Sequence, residues 1–348
     1  MNSGRFGGRY SQGHVSGHLE GQQMTDSDEF AARTTPYRRE LLAHCYRMLG
    51  SVDDAEDLVQ ETMLRAWRAY GDFEGRASMR TWLYRIATNA CLNALEHSSR
   101  RVLPAGLSGP TADPTQDVRF APEIPWLQPM PDVLIAPEAA DPAAIIAARD
   151  DMRLALIAAW QYLPPRQRAV LILRDVLHWK AAEVADLIGT SVAAVNSMLQ
   201  RAHATLDALG PDTPVVEPDD PEIRALLDRY AAAFEAADMD TLITLLRSDV
   251  VWEMPPMSEW FRGDTTIVEL IAAKCPYAPG EAHMVPIAAN GQPGFAFYLR
   301  GHAQSLQVLT VTPEGISHVV SYHDAALFEA FGLPTSLIET AQREPVLP

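Results

Sequence analysis

Glu253, His283, Tyr298 and His318, with His323 close behind, place a carboxylate, imidazoles and a phenol in the last third of the chain. In one cavity, walled by an indole such as Trp252, such groups could pass a proton to and from a bound small molecule. Nothing in their spacing makes them converge, so they stand equally as a ligand pocket. A second set lies in "KAAEVADLIGTSVAAVNSMLQRA", which begins at Lys180. Its Asn196 and Gln200 amides suit adenine and its Arg201 guanidinium suits guanine, each through paired hydrogen bonds. A third is the stripe Asp53, Asp57, Gln60, Glu61 around Leu64, carboxylates that accept a forked guanidinium well but by themselves read as a solvated helix face. Metal chemistry has little support. His14 and His18 sit four apart in a Gly-, Ser- and Gln-rich start, where solvated side chains are expected, and Cys45, Cys91 and Cys275 lack a CxxC pair. No cofactor is implied.

With 348 residues, 47% of them hydrophobic, the chain has material for two or three domains. No apolar run approaches the ~18 residues of a membrane span, and the N-terminus has no apolar core for a signal peptide. Together with scattered thiols, this points to a reducing, cytoplasmic setting and no membrane partner. The net charge of −17 is uneven: −2 over 1–29, +2 over 30–101, −5 over 102–150, +1 over 151–209 and −13 over 210–348. Electrostatically the chain is two proteins.

The elements that must position these groups follow from pattern. Thr35 and Pro36 read as an N-cap and first-turn proline before Leu41, Leu42, Cys45, Met48 and Leu49 at helical spacing up to Gly50. Ser51 with Asp54 resembles a capping box, opening a helix that buries Ala55, Leu58, Val59, Thr62, Ala66 and Trp67. After "GDFEGRAS", Ser78 caps a third helix. Residues 102–142 hold nine prolines in 41 positions and read as an extended linker, although Trp126, Leu127 and Met130 in "PWLQPMPD" are expected to dock on something. Residues 143–209 are helical. In "KAAEVADLIGTSVAAVNSMLQRA" Gly189 makes a tight turn and Ser191 caps the second helix, with Val192, Val195, Leu199 and Ala202 expected inward. After a second linker at 210–220, residues 221–348 change class, to α-α-β-α-β-β-β-β with a closing short helix. Residues 1–29 read as a disordered tail or an overextended start.

The blocks "DAEDLVQETMLRAW", "SMRTWLYRIATNACLNALE", "LPPRQRAVLILRDV" and "AAEVADLIGTSVAAVNSMLQRA" resemble, in order and spacing, a bacterial RNA polymerase sigma factor of the extracytoplasmic-function class. Residues 221–348, with "WEMPP", "WFRG" and "LFEAFGLP", resemble the SnoaL-like domain that some of these factors carry, a cone-shaped α+β fold of the nuclear-transport-factor type.

The resemblance implies a fold of all-α region 2 (30–101) and region 4 (143–209, helix-turn-helix) joined by the Pro-rich linker, then the α+β domain. It implies a non-enzymatic transcription factor that binds core polymerase and promoter DNA. Asp53, Asp57, Gln60, Glu61 and Leu64 would dock on the clamp helices of the largest subunit. Phe73, Arg76, Ser78, Arg80, Asn89, Arg100 and Arg101 would hold the upstream edge of the melted promoter, in a segment of net +4 from Arg76 to Arg101. Lys180, Thr190, Ser191, Ala194, Asn196, Ser197, Gln200 and Arg201 would meet the upstream duplex, with Arg166 and Arg168 as phosphate contacts. Many relatives have a basic residue at Asn196 or Ser197, so weak intrinsic DNA affinity is expected. The acidic total is then no obstacle, because core polymerase supplies most phosphate-binding charge. The C-terminal domain would regulate, with Trp252, Glu253, His283, Tyr298 and His318 around an unknown ligand. Two alternatives stay open: a ligand-responsive helix-turn-helix repressor, and a SnoaL-like enzyme with a DNA-binding appendage.

Overall fold

The computed structural model describes residues 28–96, 98–135, 151–209 and 220–338. The expectations for 1–27, for residues 136–150 and for the second linker at 210–219 lie outside the described residues. Three helices, α1 (Arg38–Leu49), α2 (Val52–Arg68) and α3 (Met79–Glu96), form the first bundle. Leu41, Cys45, Met48, Ala55, Val59, Leu83, Ala87 and Cys91 close its core. The Ser51 hydroxyl accepts from the Asp54 backbone N–H at 3.1 Å and that of Ser78 from Thr81 at 3.1 Å, so both helix starts are capped as their sequences suggest. Two details differ. Residues 28–34 are helical, and Thr35–Tyr37 form a 3-10 turn ahead of α1, so Thr35 caps nothing. Trp67 is 38% exposed, because it sits at the bundle edge against the Phe30 ring, 5.2 Å away.

Among its described residues the Pro-rich segment carries no strand and only a 3-10 turn at Pro104–Gly106 before the short helix α4 (Asp132–Ile135). It is nevertheless no free tether. Leu127 and Met130 are fully buried, and the Gln128 side-chain carbonyl accepts from Ser51 Oγ at 2.7 Å and Val52 N at 3.0 Å. Gly50, at φ +71°, leaves room for this strap: a Cβ there would lie 2.6 Å from Leu127 Cδ1.

The second helical module comprises α5 (Leu154–Trp160), α6 (Pro165–Leu171) ending in a π turn at Ile172–Val176, α7 (Ala181–Ile188) and α8 (Val192–Leu209). Gly189 adopts φ +67° between α7 and α8, and the Ser191 hydroxyl accepts from Ala194 N at 3.2 Å.

The C-terminal unit runs α9 (Pro221–Glu235), α10 (Met239–Leu245), β1 (Leu246–Glu253), β2 (Trp260–Arg262), α11 (Asp264–Lys274), β3 (Ala282–Ala289), β4 (Gln292–Leu299), β5 (His302–Thr312), β6 (Gly315–Tyr322) and α12 (Ala326–Ala330). Its six-stranded sheet has the order β2-β1-β6-β5-β4-β3, with β1 and β6 parallel. Three-residue β2 escapes a sequence reading because it is too short to show alternation. One face of the sheet packs on α9, α10 and α11 through Tyr230, Phe234, Trp252, Phe295 and Phe297. The other face, with Tyr298, Leu306, Val308, Val320 and Tyr322, belongs to the same apolar cluster as the strap and both helical modules. Strand alternation thus gives the sheet two apolar faces, one for its own helices and one for the rest of the chain.

Candidate nucleic-acid interface

α2 presents its outward face as its spacing requires. Asp53, Asp57 and Gln60 are exposed, Glu61 is half-buried, and Leu64 is 56% exposed in their midst. Glu61 takes an i,i+4 bond from Arg65 at 2.6 Å, and Asp53 accepts from Gln128 Nε2 at 2.8 Å. The remaining members of the stripe face solvent.

The melted-promoter set divides. Phe73 stacks obliquely on Trp82, with centroids 4.8 Å apart and planes at 36°, and both rings are half-buried. The pair is a stacking platform of the kind an unstacked base needs. Arg76 and Asn89 are exposed; Arg76 pairs only with its neighbour Glu74. The other members have intramolecular partners. Ser78 Oγ serves the α3 cap. Arg80 donates to both Glu40 oxygens through Nε at 3.1 and 2.9 Å and lies over the Tyr84 ring at 4.9 Å. Arg100 sits 3.9 Å from the Tyr162 ring centre. Arg101 donates to the Trp126 carbonyl at 2.9 Å and pairs with Asp54. Arg80 thus braces α3 against α1, Arg101 ties the bundle to the strap, and Arg100 reaches the second module.

In the helix-turn-helix, Ser191, Asn196, Gln200 and Arg201 are exposed, while Thr190, Ala194 and Ser197 are half-buried. Arg201 Nη1 donates to Ser197 Oγ at 2.7 Å. Lys180 is exposed and its backbone N–H is capped by Glu183 at 2.7 Å. Val195 and Ala202 are buried as expected, whereas Val192 is 44% exposed. It stands at the first turn of α8, where the supporting α7 has already ended. Arg166 Nη2 donates to the Ile188 carbonyl at 3.3 Å. Arg168 cannot reach a phosphate: it is 3% exposed. It donates to Gln161 Oε1 at 2.7 Å, the Gln161 and Leu163 carbonyls at 3.1 and 3.2 Å, and the Met48 carbonyl of α1. Burial pulls its guanidinium down to about 10. It fastens this module to the first bundle. Tyr84 of α3 meets Trp179 at 5.3 Å and Arg85 pairs with Asp186 of α7.

The acid–base set in the C-terminal unit does not converge. Trp252 faces the aromatic core, on the opposite side of β1 from Glu253. His283 pairs at the surface with Glu235 at 3.1 Å. Tyr298 is buried and donates to the Pro334 carbonyl at 2.8 Å. Burial lowers His323 to about 4. Only Glu253 and His318 meet, at 2.8 Å, and the second Glu253 oxygen accepts from Ala105 N at 2.6 Å. The space between sheet and helices is filled by aromatic rings. A cleft of about 690 Å³ opens where β1, β2 and β6 face residues 151–156, and the Glu253–His318 pair lines it, without Trp252, His283 or Tyr298. Among the described residues no group of three or more His, Cys, Asp or Glu could hold a metal, and no helix is long and apolar enough to cross a membrane.

Sequence reasoning missed how polar residues bind the units to one another: half-buried Gln128 and buried Arg168 and Asn290. The only signal for Asn290 was its place in "NGQP", legible as a turn and nothing more.

Comparison with known proteins identifies the two helical modules. The Sigma-70 region 2 family matches residues 34–101 and the Sigma-70 region 4 family residues 153–206. ECF RNA polymerase sigma factor SigG of Mycobacterium tuberculosis is 54% identical over 316 residues, 89% of this chain and 85% of the relative. SigJ of the same organism is 31% identical over 252 residues, 70% of this chain and 72% of that protein. The crystal structure of SigJ superimposes with a TM-score of 0.57 at 26% identity, covering 88% of this chain and all of that one. These relatives are sigma factors, not enzymes. Two family matches in register and a relative identical at more than half of the aligned positions place the chain among the extracytoplasmic-function RNA polymerase sigma factors, which bind core polymerase and promoter DNA to initiate transcription.

Proposed function

We propose that the outward face of α2 docks on the clamp helices of the largest polymerase subunit, with Leu64 as apolar anchor and Asp53, Asp57, Gln60 and Glu61 around it. An exposed leucine ringed by carboxylates and an amide carries this reading, because a solvated face has no need of the leucine. Reversing Asp57 and Glu61 together to Lys tests it. Losing and inverting two charge-assisted contacts costs several kcal/mol at an interface, so holoenzyme assembly falls at least a hundredfold while the melting temperature of the free factor holds. Assembly at wild-type affinity sinks the reading.

Phe73, Trp82, Arg76 and Asn89 form the surface for the melted strand, and Ser191, Asn196, Gln200 and Arg201 that for the upstream duplex. Arg80, Arg100 and Arg101 join the DNA surface only after leaving their present partners. Region 2 spans 30–101, region 4 spans 143–209 and the regulatory domain spans 221–348. That last domain gates the factor by holding both helical modules and the strap against its sheet. A dye pair at Asp72→Cys and Ala204→Cys, in a Cys275→Ser background, reports the distance between the modules. It lengthens between the free factor and the open promoter complex; an unchanged distance removes the gate.

A further inference from the structure

The turn between β3 and β4 sits where turns are rarely found. Asn290 and Gly291 form a two-residue hairpin tip, with φ +57° and +68°, the left-handed pair an Asn-Gly turn supplies. Such tips ordinarily project into water. Here Asn290 is wholly buried and every polar atom of its side chain is satisfied by another part of the molecule. Its amide nitrogen donates to the Tyr46 hydroxyl of α1 at 2.8 Å and to the Met152 carbonyl ahead of α5 at 2.7 Å. Its amide oxygen accepts from Met130 N of the strap at 2.8 Å, and its backbone N–H returns a bond to the Met130 carbonyl at 2.9 Å.

The neighbouring residues extend the fit. Gly291 N donates to Asp132 Oδ1 at 2.8 Å, Gln292 Oε1 accepts from Leu154 N at 2.9 Å, and Pro131 bridges Ala289 in antiparallel register. Tyr46 closes the circuit by donating to the Gln128 carbonyl at 2.7 Å. Three segments far apart in sequence thus converge on one side chain, and none is needed to form the hairpin itself.

We infer that the Asn290-Gly291 hairpin tip is a latch: it plugs a socket made by Tyr46, Met130 and Met152 and holds the two helical modules in their closed arrangement. The inference rests on the gating reading and specifies its contact. A buried amide is suited to the task because it is directional. Every socket group withdrawn from it must find water or stay unpaired, so the latch is either seated or open. Opening frees the strap and both modules together.

A reversible lock tests it in the full chain. Antiparallel bridge partners lie about 4.5–5.5 Å apart at Cα, within reach of a disulfide, so Pro131→Cys with Ala289→Cys, in the Cys275→Ser background, clamps the tip to the strap. Oxidised, this factor assembles holoenzyme as the reduced form does, through α2, but yields at least tenfold less run-off transcript; dithiothreitol restores it. Equal transcript from both forms overturns the latch. The converse variant is Asn290→Gly, which tolerates the left-handed backbone and deletes the side chain. It speeds hydrogen exchange around Tyr84 and Trp179 at least tenfold, with the β4–β5 ladder unaltered; exchange at the wild-type rate counts against the proposal. Tyr46→Phe, which removes a single hydroxyl, gives a smaller shift in the same direction should the glycine variant fold poorly. If the dye pair reports opening while the locked factor still transcribes, gating stands and the latch falls. If the dyes report no opening, both fall.

Discussion

The outward face of α2 and the arginines of and around α3 belong to one small bundle, yet their states are opposite. The α2 face, centred on Leu64, lies in solvent with Asp57 and Gln60 exposed. Among the described residues its only side-chain bonds are those from Arg65 to Glu61 and from Gln128 to Asp53. Arg80, Arg100 and Arg101, which the proposed promoter surface would set against DNA phosphates, are bound to Glu40, Tyr162 and Asp54. A phosphate has to compete with those partners, and each engaged cation subtracts from the field that draws DNA in. The contrast teaches an order of events. On the proposed roles of these groups, the free factor meets polymerase first and its DNA-facing charge is released afterwards.

Four measurements press on that contrast. The largest effect is expected for Arg168→Met. It strands the Met48, Gln161 and Leu163 carbonyls in a buried junction, and orphaned acceptors there cost roughly 3–5 kcal/mol in total. The urea midpoint drops accordingly, with the α2 face untouched; a loss below about 1 kcal/mol means the junction is not what joins the modules.

Acid comes next. His44 is fully buried beside Thr88 at 2.9 Å, and burial, helped by Arg47 and Arg80, lowers it to about 3; His323 lies at about 4 through burial. Both are neutral when folded. Below the ordinary value of 6.5 the unfolded chain takes up protons the folded one refuses, so stability is full above pH 6.5 and declines as pH falls toward 4. At pH 5 each histidine accounts for about 2 kcal/mol. A flat unfolding free energy between pH 7 and 5 contradicts this.

Arg201→Ala is expected to lose about 1–3 kcal/mol of discrimination among upstream sequences within holoenzyme, with little change in salt slope. Uniform weakening across sequences, with a shallower slope, places Arg201 on phosphate instead. The smallest effect belongs to Asp186→Ala. Its pair with Arg85 is solvent-accessible, at 78% and 41% side-chain exposure, and exposed pairs contribute under about 1 kcal/mol. A larger loss in the urea midpoint gives that bridge an unexpected share in closure.

What sequence conveyed and what it withheld divides along physical lines. Local periodicity and caps were readable: Ser51, Ser78, Gly189 and Ser191 each sit at the helix boundary their chemistry dictates. The exposed Leu64 was readable as a breach of amphipathicity. The division of labour among arginines was not, since Arg76, Arg80 and Arg168 look alike until their partners, up to 120 residues away, are known. Counting prolines correctly excluded strands from 102–131 but suggested a loose tether. Leu127 and Met130 share an apolar cluster with a sheet that begins more than a hundred residues later, while Trp126 packs on Val102 and Ala121 of its own segment. The Glu253, His283, Tyr298 and His318 set failed for the same reason in reverse. Residue type alone carries no information about which face of a strand a group occupies.

The seat of the strap has a consequence in time. Met130 bonds to a residue 160 positions downstream, and polypeptide emerges at about 5–20 residues per second. The second helical module ends at Leu209 and β4 begins at Gln292, so both modules leave the ribosome roughly four to eighteen seconds before the hairpin that closes them exists. During that interval the α2 face is accessible and no contact from the sheet yet holds the two helical modules together. Where translation and transcription share one compartment, a newly made molecule meets the enzyme in a form that an aged one must work to recover.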